Sequence, residues 1–227
     1  MLTHQLNDDE WNRLLAFKGY GRIDAPIWFM GMEEGGDGSV GHLRRRATLF
    51  DEKEDLGLAH ERMGFNTYSK TDTWWLMSYI ARFANGEPDW MDTGKTKAYR
   101  NDRLGRFGGD TLLTDLLPIP CPERNADWPH SSRYPDKGSY EEDVLPGRIG
   151  MLREMMREGR PRVVFCYGKT FWERYRLVFE GAEFRGVDGI GEVAEWNGTK
   201  VVLTKFFSFQ YYPKRSVPSL CNAAELV

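Results

Sequence analysis

The chain has 227 residues, of which 41% are hydrophobic and 29% charged, with a formal net charge of −3. This composition is typical of one globular domain over residues 1–227, and the total charge does not indicate a strongly basic nucleic-acid binder. No apolar run approaches the roughly 18 residues of a membrane span, and the polar N-terminus is no signal peptide. Three cysteines without a CxxC pair favour neither disulfides nor a structural metal site. We therefore expect a cytoplasmic protein without a metal or other cofactor.

The first part of the chain predicts a helix, a buried strand and a glycine-rich loop. A capping-box pattern begins the helix at Asn7. The apolar run 26–30 predicts a buried strand, and residues 31–41 form a loop with five glycines. A basic helical stretch follows to Phe50, whereas residues 51–70 fit no clear element.

The middle of the chain predicts one helix and a second buried strand. The helix begins at Asp72 or Thr73, and its spacing places the Trp74–Trp75 pair in the core. Residues 85–110, rich in glycine and basic side chains, predict irregular structure, and the run 111–117 predicts the strand. A loop is predicted over 118–138, which contains His130, and a helix over 139–158 whose methionines face inward. A strand over 162–167 and a helix from Phe171 to Val178 follow. The last predicted element is a hairpin about Asn197–Gly198, whose second strand includes 201–204.

This alternation of elements predicts the α/β class. We expect a three-layer α/β/α domain with a mostly parallel central sheet of about four core strands. Ligands of such sheets bind in the crevice beyond the carboxyl ends of the strands. Loops 31–41, 115–138, 168–170 and 206–213 leave those ends, so chemistry is expected where they meet.

Glu33 and Glu34, directly after the first core strand, are candidate catalytic groups. A carboxylate at the crevice can orient a water, accept its proton or stabilise a developing cation. The loop lacks the Lys-Ser/Thr ending of a phosphate-binding loop and the spacing of a dinucleotide fingerprint. An exposed acidic turn is the alternative interpretation.

The segment from Gly31 to Gly35 resembles the first motif of the uracil-DNA glycosylase superfamily, Gly-x-(Asp/Asn/Glu/Ala)-Pro-(Gly/Tyr). Glu33 matches the position that usually holds the water-activating residue, and Glu34 replaces the usual proline. Asp115 ends the second strand before a proline-rich turn, where the family has an Asn that recognises the edge of the base.

Two later segments, in the order expected for the family, extend this resemblance. Residues 163–169 are similar to the third strand with its closing glycine. Residues 202–208 correspond to the last motif, His-Pro-Ser, in which Phe206 stands at the histidine position and Ser208 retains the serine. The segment 217–219 is a weaker candidate for the same motif, because it lies farther from the strand.

The resemblance implies a monofunctional DNA glycosylase that everts a base from DNA and hydrolyses its N-glycosidic bond. Glu33 and Glu34 would be catalytic. An ionised Asp115 only accepts hydrogen bonds, which suits an exocyclic amine such as cytosine N4 better than a uracil carbonyl. We therefore expect cytosine or a modified cytosine, in DNA repair or in defence against phage with modified DNA. A turn-capping role for Asp115 is the alternative.

Aromatic and basic side chains near these motifs are candidates for contacts with the base and the DNA. Stacking and phosphate contacts supply affinity in such complexes, although ordinary packing and solvated helix faces are the alternatives. The residues implied to bind the base are Met32, Phe50, Asp115, Phe206 and Ser208. The residues implied to bind DNA are Arg44, Arg45, Arg46, Lys169, Tyr211 and Tyr212, and a second basic segment comprises Lys95, Lys97, Arg100, Arg103 and Arg106.

Two other functions stay open. No protein partner is expected for any of the three functions. Loss of the family histidine at Phe206 is compatible with a non-catalytic protein that binds nucleic acid or nucleotides. An unrelated small-molecule hydrolase on the same architecture is the third hypothesis, because fold alone does not decide function.

Overall fold

An eight-stranded mixed sheet with helices on both faces forms the centre of the molecule in a computed structural model, which describes residues 5–65, 71–121 and 133–226. The strands are β1 (Gly19–Gly21), β2 (Ile27–Glu33), β3 (Lys53–Glu54), β4 (Thr111–Leu117), β5 (Val163–Tyr167), β6 (Arg185–Val187), β7 (Gly191–Trp196) and β8 (Thr199–Thr204). The helices are α1 (Asp8–Leu15), α2 (Val40–Leu49), α3 (Leu56–Met63), α4 (Asp72–Ala84), α5 (Thr93–Asp102), α6 (Lys137–Gly159), α7 (Trp172–Val178) and α8 (Val217–Ala223). The predicted α/β class is confirmed.

The strand order is β3-β1-β4-β2-β5-β8-β7-β6. Strands β4, β2, β5 and β8 are mutually parallel, while β1 is antiparallel to β4 and the β6–β7–β8 edge is antiparallel. From β2 the chain adds β4 on one side and then β5 on the other. A ligand crevice is expected at this reversal, beyond the carboxyl ends of β2 and β5.

Strand β2 is central, and its side chains alternate between two hydrophobic cores. Ile27 and Phe29 pack on the face covered by α3, α4 and α8. Trp28, Met30 and Met32 pack on the opposite face, which α1, α2, α6 and α7 cover. A parallel strand covered on both faces is apolar at every position, which explains the continuous run seen in the sequence.

Local signals that were strong in the sequence correspond to observed elements. The Asn7 side chain accepts from the Glu10 N–H at 2.8 Å, and the Glu10 carboxylate accepts from the Asn7 N–H at 2.8 Å, which confirms the capping box. Asn197 and Gly198 have φ of 51° and 82°, values that a two-residue hairpin turn between β7 and β8 requires. The hairpin prediction is therefore confirmed.

The expectation of irregular structure over residues 85–110 is wrong, because these residues include α5. The Asp92 carboxylate caps this helix by accepting from the Lys95 N–H at 2.7 Å. Its inner side is formed by polar residues, and the Arg100 guanidinium lies 4.5 Å from the Trp75 ring centroid. A helix held by tyrosine, threonine and arginine has no apolar periodicity to reveal it.

The Trp74–Trp75 pair is only half-buried, at the edge of the core.

The three cysteines are buried and none forms a disulfide. None of the helices within the described ranges combines the length and the apolar character that crossing a membrane requires.

Candidate functional site

A cavity of about 830 Å³ opens at the carboxyl ends of β2, β4 and β5, where the strand order predicts a crevice. Its volume lies in the range of ligand-binding sites. The strand side of this cavity consists of lining residues on β1, β2, β4 and β5, which include Tyr20, Glu33, Asp115 and Tyr167. The helix side consists of lining residues on α2, α3 and α4, which include His42, Arg46, His60 and Trp74. Glu34, Phe50, Phe65 and Phe206 line it from connecting segments.

The predicted catalytic and base-reading carboxylates meet in this cavity. Glu33, Glu34 and Asp115 all line it, and β2 and β4 are neighbours with Gly31 opposite Asp115 in the register. The strand context thus places three carboxylates at one edge of the sheet, as expected from the sequence.

Gly31 makes room for the Asp115 carboxyl. A Cβ at this glycine would collide with Asp115 Oδ1 and with the Tyr167 hydroxyl. The Asp115 side chain is half-buried and lines the cavity instead of capping the following turn. Only the residue type without a side chain permits the carboxyl and the phenol to approach the β2 backbone together.

Burial raises the pKa of Asp115 from its ordinary value of 3.8 to about 7, with the nearby negative charge of Glu34 acting in the same direction. The cations of Arg148 and Arg46 oppose this rise, and Glu33 adds to it. Near neutral pH the carboxyl is therefore present both ionised and protonated. A protonated carboxyl has a donor as well as acceptors, so the sequence-based view of a residue that only accepts holds for the ionised form alone.

Glu34 belongs to a buried network. Its Oε2 forms an ion pair with Arg46 Nη1 at 2.8 Å, and the Tyr20 hydroxyl donates to both carboxylate oxygens at 3.0 and 3.1 Å. The Arg46 side chain is only 5% exposed, and its guanidinium lies 5.0 Å from the Phe50 ring centroid. A residue enclosed in this way does not reach a phosphate backbone, so the assignment of Arg46 to DNA binding is wrong.

Glu33 is less completely satisfied. Its Oε1 forms an ion pair with Lys137, the first residue of α6. Its Oε2 is buried and accepts no hydrogen bond from the residues that the structure describes. Burial raises the pKa of Glu33, and Lys137 opposes the rise. A buried carboxylate oxygen without a donor is costly, so Oε2 is the oxygen of the cavity glutamates whose hydrogen-bonding capacity the described residues leave unused.

Three residues assigned to the base or the DNA lie elsewhere. Met32 packs in the core on the opposite face of β2 and does not line the cavity. Ser208 also lies outside the lining, and its Oγ is buried. Tyr212 is 1% exposed, and its hydroxyl donates to the Ile190 carbonyl at 2.5 Å and accepts from the Lys205 N–H at 2.9 Å. The assignments of Met32 and Tyr212 are wrong because the interior uses both side chains, whereas Ser208 lies outside the cavity lining with its Oγ unpaired among the described residues.

Phe206 and Tyr211 are both exposed. Phe206 lies at the cavity, and Tyr211 lies on the loop that continues from it. Phe206 lines the mouth and is 52% exposed, with its ring centroid 6.0 Å from that of Tyr167. Tyr211 is 47% exposed, and Lys205 Nζ lies 5.5 Å from its ring centroid. Lys169 is also exposed, 5.6 Å from the Trp172 ring. These three side chains are available for contact with a large ligand.

The other basic side chains largely hold local structure. Arg44 donates to Glu10 at 2.6 Å and to the Gln5 carbonyl at 2.7 Å, and the exposed Arg45 donates to the Arg62 carbonyl at 2.8 Å. In the second basic segment, Lys95 pairs with Asp89, Arg100 lies over Trp75, Arg103 pairs with Asp110 and Arg106 pairs with Asp55. Arg100 and Arg106 are thus built into α5 and its neighbours, whereas Lys95, Lys97 and Arg103 are exposed to solvent. His130 lies outside the described residues.

Two histidines on the helix side are the residues that the sequence did not reveal. His60 lies between Trp74 and Phe65, with ring centroids 5.4 and 5.6 Å away, and His42 stacks near Phe65 at 6.3 Å. Burial lowers the pKa of both imidazoles. The helix that carries His60 lies in the polar region 51–70. Its signals in the sequence are the Asp55 cap, the terminating Gly64 and a two-turn apolar spacing at Leu56, Ala59 and Met63.

Within the described ranges, no cluster of three His, Cys, Asp or Glu side chains is arranged to hold a metal ion. Comparison with known proteins adds no assignment: no protein-family model matches this sequence, and no curated protein shows significant similarity to it.

Proposed function

We propose that the chain is a monofunctional DNA glycosylase that hydrolyses the N-glycosidic bond of an everted base, on a uracil-DNA glycosylase-like fold. One observation carries the proposal: Glu33 and Asp115, chosen from the sequence for water activation and base recognition, line a single cavity. The four mutually parallel strands with the cavity at their carboxyl ends support the fold assignment.

The cavity suits a flat heterocycle. Phe50, Phe65 and Trp74 line it, and stacking on such rings contributes about 1–3 kcal/mol per base. Carboxyl and phenol groups at Asp115 and Tyr167 offer hydrogen bonds to the edge of the ring. The volume also leaves room for a substituent on the base, in agreement with a modified cytosine.

The reaction needs one carboxylate that receives a proton. The C1′–N bond breaks with its electron pair leaving on the base, and the sugar develops oxocarbenium character. A water oxygen bonds to C1′ and transfers a proton to Glu33, and the base nitrogen then takes up a proton from solvent. Glu33 suits this role because Oε2 accepts no hydrogen bond from the described residues, while Glu34 is occupied by Arg46 and Tyr20.

DNA would approach the mouth of the cavity. The exposed side chains of Phe206 and Tyr211 suit contact with bases next to the everted one, and Lys169 suits a phosphate. The net charge of −3 implies that DNA affinity depends on such local contacts.

A non-catalytic nucleic-acid or nucleotide binder is the second candidate. It is favoured by the pairing of both cavity glutamates with cations, Glu33 with Lys137 and Glu34 with Arg46, which would hold the acids as structural groups.

The test uses single- and double-stranded DNA that contains cytosine, 5-methylcytosine, 5-hydroxymethylcytosine or uracil, with abasic sites detected by alkaline strand cleavage. We expect excision of at least one cytosine-type base. Glu33→Gln should slow it by about 10²–10⁴-fold with DNA affinity retained, since this is the usual contribution of a general base. Glu183→Gln, the same change at an exposed position, is the matched control.

Two outcomes would decide against the proposal as stated. Binding of DNA without abasic sites from any base would favour the non-catalytic alternative. Preferred removal of uracil over all cytosine derivatives would contradict the proposed substrate.

A further inference from the structure

We propose that the cavity takes a planar ring with a positive charge, an N-alkylated nucleobase, between the acidic side chains of the sheet and the aromatic side chains of the helices. The binding of such a ring is inferred from the cavity alone. The excision of it rests on the proposed glycosylase function, whose modified cytosine it narrows to a cationic form such as 3-methylcytosine.

The cavity has more acidic than basic groups on its surface. Arg46 is the only arginine or lysine among the described residues that line it. It pairs with Glu34, and Lys137, from outside the lining, pairs with Glu33. Burial lowers the pKa of both cavity histidines and so favours their neutral forms. The acids that line the cavity are Glu33, Glu34, Asp37 and Asp115, so two of the four lack a paired cation within the described part of the chain.

Asp115 is the uncompensated acid on the sheet side, because Asp37 is exposed to solvent and bonds to Ser39. Arg148 Nη2 donates to the Asp115 backbone carbonyl at 2.8 Å, and no described residue forms an ion pair with the Asp115 carboxyl. A positive charge beside a buried carboxyl stabilises its ionised form, and the carboxylate stabilises the positive charge to the same extent. A cationic ligand would therefore supply the charge that the protein leaves out.

The helix side of the cavity presents rings to such a ligand. The centroids of Trp74 and Phe65 lie 5.4 and 5.6 Å from that of His60, and all three side chains line the cavity. The face of an aromatic ring attracts a cation, and tryptophan does so most strongly. A flat cation gains this attraction in addition to stacking, whereas a neutral ring gains stacking alone.

The chain itself already holds one planar cation in this manner inside the cavity. The Arg46 guanidinium lies 5.0 Å from the Phe50 ring centroid and 2.8 Å from the Glu34 carboxylate. A flat, delocalised positive charge is thus stabilised by a ring and an acid together, and the same two kinds of group remain available at Trp74 and Asp115.

The charges also distinguish which base can leave. A neutral base departs with negative charge, which Glu33, Glu34 and Asp115 oppose at short range. In a cationic base the electron pair of the C1′–N bond passes to the ring nitrogen and cancels the positive charge, so the base leaves neutral. The positive charge passes to the sugar, which the same acids stabilise, while a water oxygen bonds to C1′ and its proton passes to Glu33.

The experiment compares rings that share size and differ in charge. The probes are 3-methylcytidine, which is cationic at pH 7.5, and two neutral controls, 3-methyluridine with the same methyl position and 5-methylcytidine with the same parent base. Calorimetry measures the free nucleosides, and fluorescence anisotropy measures one oligonucleotide that carries each base once, so the two formats distinguish a free ligand from a base in DNA. We expect the cation to bind at least about tenfold tighter than both controls in at least one format.

Two variants test the two sides of the cavity. Asp115→Asn keeps the shape and removes the charge, so the preference for the cation should fall at least about fivefold, while Asp188→Asn at an exposed position should not change it. Trp74→Leu should weaken binding of the cation about tenfold. Trp75→Leu is its matched control, because Trp75 is also half-buried but does not line the cavity. Thermal unfolding of each variant identifies any loss that comes from the fold.

The outcomes separate this inference from the glycosylase function. Equal affinity for cationic and neutral rings in both formats, or an unchanged preference in Asp115→Asn, overturns the inference, and abasic sites from any base would then leave the glycosylase standing. A preference for the cation without abasic sites from 3-methylcytosine or any other base supports the inference and decides against the glycosylase.

Discussion

Replacement of Asp115 by Asn should change how the stability of the protein depends on pH. The carboxyl has a pKa of about 7 in the folded protein and an ordinary value of 3.8, because it is buried near Glu34. Between these values the folded state holds a proton that the unfolded state has released. The free energy of unfolding contributed by this group is therefore fully present below pH 3.8 and falls as pH rises toward 7.

The magnitude follows from the width of this window. Each pH unit is worth about 1.4 kcal/mol, so Asp115 lowers the free energy of unfolding by up to about 4 kcal/mol across the window. This is an upper limit, because the carboxyl is only half-buried and faces a cavity open to solvent. An Asn side chain has the same shape without the charge and removes this contribution.

Urea unfolding of wild type and Asp115→Asn at pH 5.5, 7.0 and 8.5 measures the effect. The difference between the two proteins isolates Asp115 from other titrating groups, among them His42 and His60, whose lowered pKa values act with the opposite sign. We expect Asp115→Asn to gain stability relative to wild type between pH 5.5 and 7.0, and Asp188→Asn at an exposed position to gain none. A difference that stays constant over the whole range would refute the reasoning.

Three further changes test the cavity and the corrected assignments. Gly31→Ala should destabilise the fold by about 1–3 kcal/mol, because its Cβ would meet the Asp115 carboxyl; an unchanged melting temperature would show that this carboxyl is not held against β2. Arg46→Met should cost about 3–5 kcal/mol in chemical denaturation, since Glu34 loses its cation, and a neutral result would mean that solvent satisfies the acid. Tyr212→Phe should lower the free energy of unfolding by about 1–3 kcal/mol while DNA affinity in a fluorescence titration stays within twofold of wild type; a large loss of affinity would restore its assignment to DNA binding.

The central strands could be predicted because a strand that is buried on both faces has apolar residues at nearly every position. The runs that became β2, β4 and β5 are apolar throughout, and the Asn197–Gly198 turn has a backbone conformation that few other pairs adopt. Helix α5 was missed because its stability depends on tertiary contacts of polar side chains, which have no helical apolar period.

The strand side of the site was more predictable than the helix side. Asp115 and Glu33 follow recognisable strands, so topology alone brings them to one edge of the sheet. His60 reaches the cavity only through the packing of α3, which the sequence does not specify. The errors at Arg46 and Tyr212 have a common cause, since a polar or aromatic side chain next to a motif can be buried when the interior supplies its hydrogen bonds.

The connection from β2 to β4 has a consequence for how this protein could diversify. Residues 34–110 separate two strands that are neighbours in the sheet, and they carry the edge strand β3 and helices α2, α3, α4 and α5. One continuous stretch of chain therefore supplies the entire helix side of the cavity, while the acids on β2 and β4 come from the sheet itself. Exchange of this stretch would replace Glu34 and the helix side together and leave Glu33 and Asp115 on the sheet, so chimeras with borders at β2 and β4 would test which side of the cavity sets ligand selectivity.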